Sequence, residues 1–350
     1  MTTRVLAAAV ALFVNLPPGA WQVSATANRT LTAVAGVKVG HHTMAGRPTG
    51  CTVILFDPAA VASVDVRGGA PATRETDLLQ PQNLVQRINA IVLSGGSAFG
   101  LDAASGVMRY LEEHGKGYST ATGPVPIVPA ASLIDLWFGG DAKIRPNADC
   151  GYRAAQAAAS GPVPEGNVGA GAGATVGKLF GTSRAMKAGI GSAALSLPNG
   201  LIVGAVVAVN AAGDVIDPAT GRVVAGARTA DGKALADSRA RIRAGEVRLP
   251  PGERDHTTIG VVATNARLTK AEAQKVAQMA HDGYARAIAP VHTPYDGDTI
   301  FAAATGTWEG EPNLVIVGAL AADAMAEAIV RAATQATGLG GVPASRDLRQ

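Results

Sequence analysis

Two short blocks of this chain hold residue types suited to acyl-transfer chemistry. In His256-Thr257-Thr258-Ile259-Gly260-Val261-Val262-Ala263-Thr264-Asn265, two hydroxyls stand at the mouth of an apolar, β-branched run that reads as a buried strand. About one helix further on, His292-Thr293-Pro294-Tyr295-Asp296-Gly297-Asp298-Thr299 places two carboxylates at i and i+2, which an extended backbone points to one side. A threonine hydroxyl is a weak nucleophile without a neighbouring base. A chain that begins at its nucleophile supplies that base in its own α-amine. Such chemistry requires a cut between His256 and Thr257. Taken alone, a threonine pair at a strand start is also what β-propensity produces, and Pro294-Tyr295-Asp296-Gly297 has ordinary turn chemistry. The turn and a catalytic role for Asp296 and Asp298 are compatible. Two close carboxylates couple their titration, so that one accepts a proton from the threonine hydroxyl and amine or orients them. Thr257 and Thr258 are adjacent, so in a strand only one of them faces a given site.

Other candidates are weaker by themselves. Lys178 follows a glycine/alanine run, but a phosphate-binding loop would need Gly where Ala172 stands and Ser or Thr where Leu179 stands. Asn210 ends a long apolar strand, as a turn residue or as an amide donor to a developing oxyanion. Gly95-Gly96-Ser97-Ala98-Phe99 lacks the final glycine of a serine nucleophile elbow, so Ser97 reads as a helix-entry residue. His41, His42 and His292 have no metal-ligand spacing, and no metal or other cofactor is expected. His292 reads as structural, with a supporting place beside the acid turn as the other option.

The chain resembles the N-terminal-nucleophile hydrolases of the L-aminopeptidase/D-amidase-esterase, β-peptidyl aminopeptidase and 6-aminohexanoate-oligomer hydrolase group. The likeness covers nearly everything after residue 30. It runs through Gly36-Val37-Lys38-Val39-Gly40-His41, Asp65-Val66-Arg67-Gly68-Gly69-Ala70-Pro71, Leu93-Ser94-Gly95-Gly96-Ser97-Ala98-Phe99-Gly100-Leu101-Asp102, Gly169-Ala170-Gly171-Ala172-Gly173-Ala174-Thr175-Val176-Gly177-Lys178 and Ala208-Val209-Asn210, and ends in the two blocks above. It implies a cut before Thr257 as nucleophile, Asp296 and Asp298 as the acid pair, and Asn210 as oxyanion donor. Lys178 then lies beside the nucleophile, where its charge keeps the α-amine a free base. The chain departs from the group at His256, where Asn is common. It departs again where a pocket tyrosine would fall, near Ile134 and Asp135, which become the candidate substrate-binding residues. The implied activity is release of N-terminal amino acids, or β-, D- or ω-amino acyl groups, from small peptides and amides through an acyl-Thr257 ester. Alternatives are a nylon-type oligomer hydrolase, an acyl transfer like that of the ornithine acetyltransferases, and a binding module that has lost processing through His256.

Several elements must position these residues. Strands are expected over Cys51–Phe56 and Ala60–Val66, broken at Asp57-Pro58, and over Ala90–Leu93, Pro124–Val128, Leu201–Asn210, Thr257–Thr264, Asp298–Ala304 and Asn313–Ala319. Asp214–Asp217 is expected to pair with Leu201–Asn210 as a hairpin. Helices are expected over Leu101–Glu113, Ala154–Ser160 and Met325–Thr337. Another opens on the capping box Thr269/Glu272 and buries Ala273, Val276, Ala277, Ala280, Tyr284 and Ile288. Residues 218–255 read as loop. The resemblance implies an α+β fold, a four-layer αββα sandwich of two stacked mixed sheets flanked by helices.

Composition sets the frame. Of 350 residues 47% are hydrophobic and 16% charged, as in a compact chain with much buried surface. The net charge of +3 has no Lys/Arg run behind it, so nucleic acid is not an expected partner. Residues 1–27 read as an export signal: Arg4, the apolar stretch Val5–Val14, and Ala25-Thr26-Ala27 as the cleavage site. The expected mature protein is one domain, 28–350, divided into chains 28–256 and 257–350. It is expected in the periplasm or secreted, off the membrane, and, by the resemblance, as a homo-oligomer. Cys51 lies in a strand-like run and reads as a core residue, so Cys51 and Cys150 are expected as free thiols.

Overall fold

The computed structural model of the protein describes residues 28–247 and 256–348. The expected export signal, and residues 248–255 of the loop-like stretch, lie outside the described residues. The main sheet has nine strands: β1 (Val37–Thr43), β2 (Gly50–Val66), β3 (Thr73–Arg74), β4 (Arg87–Ser94), β5 (Ala130–Ser132), β6 (Ile190–Ser196), β7 (Ile202–Asn210), β8 (Thr257–Thr264) and β9 (Thr299–Ala304). They lie in the order β6-β7-β8-β9-β2-β4-β5-β3, with β1 paired on the first half of β2. Pairs β8–β9 and β4–β5 are parallel and the others antiparallel. The α-helices are α1 (Ala103–Glu113), α2 (Ala148–Gln156), α3 (Ser238–Arg243), α4 (Lys270–Ala287) and α5 (Leu314–Thr334).

Side-chain alternation along the strands builds the layers. Val53, Leu55, Ala90 and Val92 of β2 and β4 pack with Val107, Leu111 and Ala154 of α1 and α2. Ala205, Val207, Val262, Ile300 and Ala302 pack with Ala277, Tyr284, Val317, Ala321 and Met325 of α4 and α5. The intervening residues Ile54, Ile91, Leu93, Val206, Ile259, Val261 and Phe301 meet in one inner core. The result is the expected αββα sandwich, its two β layers bent from one continuous sheet. The hinge between them is β2. It pairs with β1 and β4 in its first part and with β9 in its last, and its register slips between Leu55 and Ala60. Asp57-Pro58 therefore interrupts the ladder without ending the strand, because a bulge is where a sheet tolerates proline. Glycines let α1 and α2 touch: a Cβ on Gly106 would overlap the Ala148 carbonyl, and one on Gly151 the Ala103 carbonyl.

The capping box forms as expected. The Thr269 hydroxyl accepts from Glu272 N, and the Glu272 carboxylate accepts from Thr269 N at 2.8 Å. Asn313–Ala319, expected as a strand, instead opens the helix α5. The Asn313 side chain accepts from the amides of Val315 and Ile316, and the alanine-rich segment behind it carries the helix on to 21 residues despite its β-branched start. Pro124–Val128 shortens to a small ribbon strand, Gly123–Val125, paired with Tyr118–Thr120. Asp214–Ile216 does not return along β7; it joins a separate sheet with Val223–Ala225 and Ile288–Ala289. Its buried Asp214 carboxylate accepts from Ala227 N (2.8 Å), Ser238 N (2.7 Å) and Ser238 Oγ (2.8 Å). That carboxylate organises the segment expected as loop.

Cys51 and Cys150, expected as free thiols, are joined in a disulfide with Cα atoms 6.3 Å apart. The reason is the start of α2. Asn147 caps it at Ala148 by accepting from Cys150 N, well before the alanine-rich run Ala154–Ser160, so Cys150 lies on the first turn of a helix that crosses β2. Among the described residues, no helix is long and apolar enough to cross a membrane.

Candidate active site

The two blocks singled out by their chemistry meet because β8 and β9 are parallel and joined through α4. A parallel pair needs a crossover, and this one returns the chain to the end where it started. The register Ile259↔Thr299 puts the residues before β9 beside the first residues of β8, and a bridge links His256 to Asp296. On the other side of β8, the last residue of β7, Asn210, lies opposite Thr257. Thr257, Ile259 and Val261 alternate onto the inner, inter-sheet face, and Thr258 and Val262 onto the helix face. Thr257 is thus the hydroxyl at the mouth between the sheets, 4% exposed. Its Oγ1 donates to the carbonyl oxygen of His256.

Lys178 arrives on the glycine/alanine segment, whose backbone is tied by Gly177 N and Lys178 N to the carbonyls of Gly213 and Ala212. The lysine is fully buried, and its Nζ donates to Asn210 O (3.0 Å) and Oδ1 (2.9 Å). Thr175 N also donates to Asn210 Oδ1, at 3.0 Å. With its oxygen held by these donors, the Asn210 amide directs Nδ2 to the carbonyl of Ile134 at 2.9 Å. Ile134 therefore joins the cluster through its backbone.

Asp135, the other residue expected to bind substrate, has its carboxylate on partners within the protein. Its buried carboxylate accepts from Arg47 Nη2 (2.6 Å), Thr49 Oγ1 (2.7 Å) and Gly96 N (2.9 Å), and so pins three loops together. These partners hold the carboxylate inside the protein, away from solvent. Burial pushes its carboxyl up, against the Arg47 charge that lowers it.

The acid turn is held by backbone. Ala70 N donates to Asp296 O at 2.8 Å, and Arg67 N and Gly68 N to Asp298 O at 3.0 and 3.2 Å. Asp296 Oδ2 accepts from Thr293 N at 2.8 Å. Burial first, and the neighbouring Asp298 charge second, push its carboxyl up to about 6; Lys178 pulls the other way. Asp298 Oδ1 accepts from Thr258 N at 2.7 Å, and Oδ2 from His292 N (3.0 Å) and Nδ1 (2.9 Å). Gly297 between them leaves room for the nucleophile, since a Cβ there would lie 3.0 Å from Thr257 Oγ1. Thr257, Asn210, Lys178, Asp296 and Asp298 are thus in one cluster, with His256 buried at its edge. Sequence reasoning preferred a structural His292 to the supporting place it takes on Asp298, and missed the His281 packed behind it. The available signal was His281 one turn after Ala277 on the buried stripe of α4.

A threonine opening an inner strand between two helix-covered β layers has the architecture of the N-terminal-nucleophile hydrolases. Solved structures with this fold include a β-aminopeptidase of Burkholderia sp. (TM-score 0.67, 22% identity, 91% of this chain and 90% of that one). The L-aminopeptidase D-Ala-esterase/amidase of Ochrobactrum anthropi gives TM-score 0.67 at 21% identity, covering 90% and 88%. The peptidase family S58 model matches residues 29–346, and the chain belongs to that family. It is a hydrolase acting on peptide or amide bonds. An uncharacterized aminopeptidase of Mycobacterium tuberculosis is 43% identical over 344 residues, covering 91% of this chain and 97% of its own. The 6-aminohexanoate-oligomer endohydrolase of Kocuria sp. is 32% identical over 319 residues, covering 85% and 84%.

Proposed function

We propose that the protein is a self-processing aminopeptidase/amidase whose nucleophile is Thr257. In the uncut chain Thr257 Oγ attacks the His256 carbonyl carbon; the C–N bond breaks, an ester forms, and the proton passes to the released amine. Water then cleaves the ester, leaving a His256 carboxylate and a free Thr257 α-amine. In turnover that amine takes the hydroxyl proton, Oγ attacks the substrate carbonyl, and Asn210 donates through its amide to the oxyanion. Lys178 orients Asn210 and keeps the nearby amine unprotonated. The proton held by the amine goes to the leaving amine, and water hydrolyses the acyl-Thr257 ester. The observation that carries this reading is the Thr257 hydroxyl against the carbonyl it would attack, between the Asn210–Lys178 pair and the acid turn. Substrates are small amides with a free amino end, as the aminopeptidase names of the relatives suggest. Activity on 6-aminohexanoate oligomers is the second reading, favoured by the oligomer endohydrolases matched over 85% of the chain.

Export belongs to the same proposal, supported by the leader-like residues 1–27 and by a disulfide, which persists in oxidising compartments. The test is N-terminal sequencing of the small fragment together with Thr257→Ala. A start at Thr257 in the wild type, and an uncut, folded, inactive Thr257→Ala chain, are expected. A fragment starting elsewhere, or turnover by Thr257→Ala, would refute it. Product mass spectrometry with and without an added amine acceptor separates hydrolysis from acyl transfer.

A further inference from the structure

His292 is a non-glycine residue in the left-handed region, at φ +55. L side chains rarely adopt this conformation, and where one does in a functional turn, what the turn gains is the question. Here both donors of the residue, its backbone N–H and ring Nδ1, fall on the same atom, Asp298 Oδ2. The other oxygen of Asp298 accepts from Thr258 N, in the peptide that follows the nucleophile. A carboxylate only accepts, so Nδ1 carries the proton in this contact.

The ring is confined from behind by α4. His281 packs edge-on to it with centroids 4.7 Å apart, and Tyr284 lies stacked at 6.0 Å. His281 is fully buried and its imidazole is pushed down to about 3, chiefly by burial, so it is a neutral wedge, held by Asp65 O at 3.1 Å. Arg67 and Asp65 are the charged residues beyond it, joined at 2.7 Å.

We propose that His292 is a positioning residue for the nucleophile. It holds Asp298, Asp298 holds the peptide between Thr257 and Thr258, and that peptide aims the Thr257 hydroxyl. The inference rests on Thr257 being the nucleophile.

Two substitutions separate the ring donor from the backbone conformation. His292→Gly accepts a positive φ and keeps the backbone N–H but has no ring. His292→Asn also accepts a positive φ, and its Nδ2 can stand in for Nδ1. Both are made in the full chain and assayed for precursor loss and for kcat and KM on L-alanine p-nitroanilide. His292→Gly is expected to lower the cleavage rate and kcat about tenfold or more, the scale of a lost hydrogen bond to a charged group, with KM little changed. His292→Asn is expected to recover most of that loss, and His292→Gly to add nothing in an Asp298→Asn background. His292→Gly at wild-type rates, or His292→Asn no better than His292→Gly, overturns the inference. Should the glycine variant not fold, the histidine Nδ1–H proton resonance decides: it is expected in the wild type and lost in Asp298→Asn, and its absence from the wild type overturns the inference. A wild type that is cut at Thr257 while His292→Gly matches it refutes the positioning role alone. A wild type not cut at Thr257 removes both readings.

Discussion

Replacing Asp296 by asparagine is expected to stabilise the fold in a pH-dependent way. Burial and the Asp298 charge raise the Asp296 carboxyl from 3.8 to about 6. Below pH about 4 the group is protonated folded and unfolded, and contributes no pH dependence. Between about 4 and 6 the native chain holds a proton that the unfolded chain has released, so stability falls as pH rises. Above about 6 the full cost is present: roughly two units at about 1.4 kcal/mol each, or about 3 kcal/mol. Asparagine keeps an acceptor for Thr293 N without the charge. The comparison is best made in a Thr257→Ala background, where every molecule is one chain, by thermal or urea unfolding from pH 3 to 8. The asparagine variant is expected to gain about 3 kcal/mol relative to its parent between pH 3 and 7, a Tm increment of about 5 °C or more. With Thr257 restored, the same substitution is expected to slow cleavage, since stability gained by removing a site charge is commonly lost as activity. A stability difference that is flat with pH, or an asparagine variant less stable at pH 7–8, would refute the assignment of Asp296 as a carboxyl raised by burial.

His256→Asn is expected to speed processing, because Asn is compact and bridges to neighbouring backbone; time courses of precursor loss for both proteins measure it. Asn210→Ala is expected to lower kcat about 10²–10³-fold with little change in KM, as for removal of one oxyanion donor; steady-state kinetics on L-alanine p-nitroanilide measure it. Cys51→Ala/Cys150→Ala is expected to lose about 2–5 kcal/mol, because the bridge closes a loop with a sequence separation of 99; urea unfolding with and without reductant measures it.

Where local chemistry decided an element, it was readable in the chain. The strand Thr257–Thr264 has both its expected ends, since a hydroxyl pair and a β-branched run need no distant partner to favour extension. The Thr269/Glu272 box likewise closes on neighbouring amides. Errors fell where a short window was ambiguous. Asn313–Ala319 is β-branched enough for a strand, yet its cap and the alanines beyond it make a helix. Asp214 reads as an ordinary hairpin residue until Ala227 and Ser238 are folded onto its carboxylate.

By itself the sequence offered the side chains that could act: Thr257, Asp296 and Asp298 by residue type and spacing, and Asn210 and Lys178 through the resemblance. It also determined the alternation that assigns each strand residue to one face or the other. Only the tertiary structure decided what those side chains touch. The parallel β8–β9 pair puts the acid turn beside the nucleophile, and the crossing of α2 over β2 pairs Cys51 with Cys150. Arg47, from a distant loop, bonds the Asp135 carboxylate. The left-handed turn at His292 brings a histidine behind Asp298. All but the last are contacts between residues far apart in the chain, whose geometry is set by packing the whole sandwich at once, and no local window contains them.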